Sequence, residues 1–183
     1  MSPRARHRLA FVTLLAPLSA CATTAFDGSV FRGRGVAFQI GPVPTSWHRV
    51  DVPDSDLAFR DDPHEASILV NSRCASADGD APLIALEGHL IMGTTDRHVG
   101  REDVVPFDGR EALHAVLTAR LDGVPMAYDI YVLKKDGCVY DLVYLTVPQS
   151  TSDAGATPSE APAEWAQFVR GFHTLAPPQG GRS

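Results

Sequence analysis

Cysteine is scarce in this chain of 183 residues, with three in all, and basic residues are outnumbered, 16 Lys and Arg against 22 Asp and Glu. So few cysteines exclude a disulfide-dense miniature scaffold. A formal charge of −6 repels phosphate backbones, so no nucleic-acid partner is expected. No apolar run reaches the length of roughly 18 residues that reads as a spanning helix. Signatures of familiar chemistries are missing as well: there is no Gly-x-Ser-x-Gly elbow, no His-Glu-x-x-His pair, no Walker loop, and no Gly-x-Gly-x-x-Gly opening a helix. Gly33-Arg34-Gly35 precedes a strand, which is the wrong context for cradling phosphate. What is present, 44% hydrophobic, 21% charged and 8% aromatic residues, is the mixture of one ordinary globular domain.

The first residues read as an address. Arg4, Arg6 and Arg8 form a cationic start, Leu9 to Leu18 an apolar stretch broken only by Thr13 and Pro17, and small residues follow. About ten apolar residues are too few to cross roughly 30 Å of hydrocarbon as a helix, but they suffice for an export signal. The junction Leu18-Ser19-Ala20-Cys21 resembles the lipobox of bacterial lipoproteins, in which the signal is cut just before a cysteine whose thiol carries diacylglycerol. The alternative is an ordinary secretory signal with a chance cysteine. The resemblance implies a signal peptide over 1–20, lipidation at Cys21, and a membrane partner reached through acyl chains rather than a span. Ala22, in place of Asp, implies sorting to the outer membrane with the domain facing the periplasm. Removal of the leader takes three arginines, so 13 basic residues face 22 acidic ones, about −9.

Cys74 and Cys138 remain. An even pair in an exported chain suggests a disulfide, closing a loop of about 65 residues at an entropic gain of about 4 kcal/mol. Two unpaired thiols, or a nucleophilic cysteine without a His/Asn signature to activate it, are the competing readings.

Residues 21–34 read as a lipidated tether and 35–176 as a single domain. Val36 to Ile40 predicts a strand closed by Gly41-Pro42. Trp47 to Val50, Leu57 to Arg60 and Glu65 to Ser72 continue a meander. Asp80 is placed to cap a helix, with Pro82 in its first turn, Leu83, Leu86 and Leu90 on one face, and Gly93 at its end. Asp108-Gly109, Asp122-Gly123 and Asp136-Gly137 predict three tight hairpins. Leu113, Ala115, Leu117, Ala119 and Leu121 alternate with polar residues as in a half-buried strand, helix being the alternative. In Cys138 to Val147 both alternating sets are apolar, which predicts a central strand. Residues 148–160 read as a flexible insert and 177–183 as a disordered tail. Between them Trp165, Phe168, Val169 and Phe172 form a helical stripe that must cover the sheet.

Candidate chemistry is sparse. His64 lies in Asp61-Asp62-Pro63-His64-Glu65, whose spacing matches no ligand set, so a solvated acidic loop is the reading. Asp78-Gly79-Asp80 lacks the later ligands of a calcium loop. Asp141, alone among apolar residues, is either a functional carboxylate or the hydrogen-bonded partner of an Arg or Tyr across the sheet; the second is favoured because buried charge must be paired. No metal site, cofactor or catalytic residue is expected.

The succession of meander, middle helix, antiparallel hairpins and terminal aromatic helix is that of an α+β sandwich, an antiparallel β-sheet flanked by helices. It resembles the broad PsbP-like group, which includes the Ran-binding Mog-type proteins and many small bacterial lipoproteins. The resemblance is carried by Val36-Ala37-Phe38-Gln39-Ile40 with Pro44 and Trp47, by Phe107-Asp108-Gly109-Arg110-Glu111-Ala112, by Tyr140-Asp141-Leu142-Val143-Tyr144, and by Trp165 to Phe172. Members of such folds bind or help assemble protein complexes. The resemblance thus implies a non-enzymatic accessory module with an envelope protein partner. A lipid-anchored hydrolase with a dispersed site, or a carrier of an apolar ligand between sheet and terminal helix, are the rivals.

Overall fold

In a computed structural model of the protein, the described residues are 24–33, 35–74, 80–148 and 162–176. Cys21 and the signal, the Ser/Asp/Gly-rich stretch after Cys74, the insert beyond Pro148 and the tail lie outside them. The chain builds two sheets. The smaller holds β1 (Ala25–Phe26), β2 (Val30–Gly33), β3 (Val36–Gln39) and β11 (His173–Leu175), in that order. The larger runs β4 (His48–Arg49), β5 (Leu57–Asp61), β6 (Ala66–Cys74), β10 (Cys138–Thr146), β9 (Val124–Lys135), β8 (Arg110–Leu121) and β7 (Thr95–Phe107). Its pairs are all antiparallel. Helix α1 spans Leu83–Leu90 and α2 spans Ala163–Arg170.

Three of the large sheet's connections are the Asp-Gly turns. Both residues of each have positive φ: 46° and 73° at Asp108 and Gly109, 51° and 83° at Asp122 and Gly123, 51° and 74° at Asp136 and Gly137. That is the type I′ geometry whose twist matches the flanking strands. The turns set the register, which places β10 in the middle of seven strands, as its two apolar sets require. Tyr140, Leu142 and Tyr144 enter the core beneath the small sheet and α2. Val139 and Val143 enter a second core, where Leu86 and Ile91 of the α1 region also pack. Burying each such large side chain contributes about 2 kcal/mol. On α2, Trp165, Phe168 and Val169, followed by Phe172, form the expected buried stripe. Phe172 contacts Phe38, Phe107 and Tyr140 at ring centroid separations of 5.5, 5.7 and 5.7 Å, so an aromatic cluster packs between the small sheet, the large sheet and the end of α2.

Cys74 and Cys138 face each other across β6 and β10 and form a disulfide, with Cα atoms 4.0 Å apart.

The structure corrects several expectations. Residues 25–33, taken as part of the tether, form β1 and β2, and Phe31 is fully buried against Phe38 at 4.9 Å. The domain therefore begins ten residues or so earlier than its first periodic strand suggests, because strands this short carry no readable period. β8 is buried on both faces from Ala112 to Ala119, not on one. Asp80 does not cap α1; Pro82 holds the N-cap position, without a side-chain hydrogen bond. β11 follows α2 and pairs with β3, unannounced in so short a segment.

Two glycines test this packing. A Cβ on Gly41 would lie 2.2 Å from Gln167 O and 2.8 Å from Phe168 Cα, where the Gly41 N–H donates to Phe168 O. Gly88, inside α1, has open space around it. Gly41→Ala is therefore expected to destabilise the protein by about 3 kcal/mol through overpacking, whereas Gly88→Ala stabilises it by about 0.5–1 kcal/mol. Urea denaturation of both variants checks this, and a neutral Gly41→Ala would mean that α2 does not sit against this turn.

Candidate functional site

Asp141 lies fully buried in the centre of β10 and is ion-paired with Arg73 of β6. The pairing follows from register: Arg73 stands opposite Val139 and Asn71 opposite Asp141, so a diagonal reach joins the two charges. The odd carboxylate of the sequence thus has an arginine partner across the sheet, as buried charge demands. The disulfide is anchored on the same strand pair, one position beyond Arg73.

The acidic loop around His64 is folded on itself. His64 Nδ1 lies 2.7 Å from Asp61 Oδ2, while Asp62 lies 3.3 Å from Arg60 and 3.8 Å from His48. Asp61 and Asp62 are thus each engaged by a neighbouring basic residue. Among the described residues no group of three or more His, Cys, Asp or Glu is placed to hold a metal ion.

The large sheet brings together a polar set that the sequence reading did not single out. His114 on β8 and Asp129 on β9 are both 7% exposed, and His114 Nε2 lies 3.0 Å from Asp129 Oδ1. The imidazole stacks on Tyr131 at 4.1 Å between ring centroids. Burial, with the Asp129 charge adding to it, pushes the Tyr131 hydroxyl up to about 12. Two positions further along this face, Thr118 Oγ1 is buried without a hydrogen-bond partner. Thr118 also lines a cavity of about 190 Å³ together with Asp96, His98, Arg120, Pro125 and Pro148. Asp96 and Arg120 are 3.4 Å apart at its edge. The signal available in sequence was the polar half of the β8 alternation, His114 and Thr118; that Asp129 joins them depends on the β8–β9 register. Chemically the set is a buried polar pair beside an unsatisfied hydroxyl: the imidazole is committed to a carboxylate and a ring, and among the described residues no hydroxyl or thiol is hydrogen-bonded to it.

A second missed residue ties the two sheets. Asp108, in the β7–β8 turn, accepts hydrogen bonds from Lys135 Nζ at 2.9 Å, from the Thr174 N–H at 2.9 Å and from Thr174 Oγ1 at 2.7 Å, with His173 Nδ1 at 3.3 Å. Lys135 belongs to β9 of the large sheet and Thr174 to β11 of the small one. Burial pulls the Asp108 carboxyl upward, but these donors outweigh it and hold it below its ordinary value. Glu87 on α1 moves the other way, raised by burial and by Glu102, with Arg97 opposing.

No family model matches the chain, and no similar curated protein was found. Solved structures do resemble it. The cyanobacterial PsbP of Synechocystis sp. PCC 6803 aligns with a TM-score of 0.53 and 15% identity over 87% of this chain and 100% of that one. A mutant of Mog1 gives 0.52 and 16% over 84% and 95%. LpqN, involved in cell envelope biogenesis of Mycobacterium tuberculosis, gives 0.51 and 14% over 84% and 90%. The chain also spans 52% of a Bacteroides thetaiotaomicron protein, at a TM-score of 0.50 and 12% identity. Identities this low speak for the fold alone. The α+β fold is that of PsbP and Mog1.

Because the folded state holds Asp108 below its ordinary value of 3.8, its contribution is complete above that pH and is lost as pH falls through the lower folded value. Asp108→Asn is expected to cost about 2 kcal/mol at neutral pH, with the deficit against wild type shrinking below the ordinary value. Urea denaturation across that pH range measures it; a constant deficit would show that the carboxylate charge is not what joins the sheets.

Proposed function

We propose that this chain is a non-enzymatic lipoprotein of the bacterial cell envelope, held on the outer membrane through acyl chains on Cys21, whose periplasm-facing domain binds a protein partner as an accessory module. The observation that carries the reading is Leu18-Ser19-Ala20-Cys21 directly after a cationic start and a short apolar stretch. Two further facts support it. The Cys74–Cys138 disulfide suits an oxidising compartment, and the LpqN fold neighbour is itself connected with cell envelope biogenesis. The rim of the Thr118 cavity, with Asp96, His98 and Arg120, supplies polar groups for recognition, and no activated nucleophile is seen among the described residues beside it. No cofactor is called for by these residues.

The test has two arms. Cells fed a palmitate analogue are expected to label the wild-type protein and not the Cys21→Ala variant, which should accumulate as precursor; labelling of the variant removes the lipoprotein reading. In-cell cross-linking of the native protein should then capture a reproducible envelope protein. Cross-linking with nothing above background counts against the accessory role and directs attention to small-molecule ligands of the Thr118 cavity.

A further inference from the structure

We propose that the seam between β1 and β4 is a membrane-docking surface, with Arg49 seated on anionic lipid headgroups; this rests on the lipid-anchor reading of Cys21. The first argument is reach. The described domain starts at Thr24 and enters β1 at Ala25, so three residue steps separate the proposed acylated cysteine from folded structure. They span at most about 11 Å. A domain on so short a lead cannot swing freely, and the edge that carries β1 is held at the lipid surface.

The second argument is what that edge presents. β1 is the outermost strand of the small sheet and β4 the outermost of the large one, and they meet at Phe26. Its ring lies 6.0 Å from that of Phe59, which pairs with Arg49 across β4 and β5, and the Arg49 guanidinium sits 5.3 Å from the Phe26 centroid. Arg49 is exposed and has no ion-pair partner among the described residues. The neighbouring arginines differ: Arg32 is matched by Asp27, which is held ionised with its pKa lowered to about 2, and Arg60 is matched by Asp62. Trp47, half-buried just before β4, adds an amphipathic ring of the kind that favours the interface. In a processed chain of about −9, most of the surface is repelled by anionic lipid. A guanidinium without a carboxylate partner among the described residues, packed on Phe26 at the tethered edge, therefore selects which side faces down, and the anchor keeps it within reach of phosphate oxygens.

The test uses the lipidated full-length protein, reconstituted into vesicles of phosphatidylcholine alone or of phosphatidylcholine with an equal part of phosphatidylglycerol. Flotation reports anchoring and hydrogen exchange reports docking. On the mixed vesicles the amides of residues 25–33 and 48–50 are expected to exchange about fivefold more slowly than on phosphatidylcholine, while those of α1 are unchanged. Arg49→Glu, or the milder Arg49→Gln, should remove that difference without altering flotation. Protein that floats with no slowing at the seam overturns the docking surface, and slowing that is equal on both vesicles or survives both substitutions overturns the role of Arg49. Protein that fails to float overturns the anchor, and the docking surface with it.

Discussion

The structure depends on β10 being covered on both faces. A strand in the middle of a seven-stranded sheet, with one core above and another below, has no solvent in which to leave a polar group. Tyr140, Leu142 and Tyr144 must therefore meet the small sheet and α2, and Val139 and Val143 must meet the α1 layer. Asp141 is the one charge on the strand, and it is paired with Arg73, diagonally across on β6. The same neighbouring strand supplies Cys74, so the disulfide and the ion pair both fasten β6 to the centre.

That two-sided burial is possible only if the strands arrive in register, and the Asp-Gly turns supply the register. A slip of one residue would turn every side chain of a hairpin to the opposite face, exchanging the His114 row of β8 for the Leu113 row. Asp108 shows how a turn residue acquires a second use. Its backbone takes the positive φ of the hairpin while its carboxylate gathers Lys135 and Thr174 and so closes the small sheet on the large one. The His114–Asp129 pair and the Thr118 cavity lie on the part of this face where polar groups replace the rings of the central core.

Most buried polar groups on this sheet are paired, His114 with Asp129 and Asp141 with Arg73, while Thr118 borders a small open cavity. The early start of the domain changes the picture of how it would be presented. With β1 and β2 folded into the small sheet, three residue steps separate Cys21 from the first described residue, Thr24, so on the proposed anchor the fold itself would set the domain's orientation.

Local periodicity and turn chemistry were legible in the sequence. The two apolar sets of residues 138–147, the helical stripe of Trp165 to Phe172 and the three Asp-Gly pairs each announce themselves within a dozen residues, because a period of two, a period near 3.6 and a demand for positive φ are set by the backbone itself. The α+β class followed from their order. The expectation of a lipobox at Leu18-Ser19-Ala20-Cys21 rests on length and side-chain size rather than on folding. Tertiary structure alone decided what β1, β2 and β11 are, since strands of two to four residues acquire their conformation from the partners they pair with. It also decided that β8 is covered on both faces, that Asp80 leaves α1 uncapped, and that His114 meets Asp129 and Asp108 meets Thr174, across 15 and 66 residues of chain. Contacts between distant segments are fixed by packing and register, and no local pattern of residues encodes them.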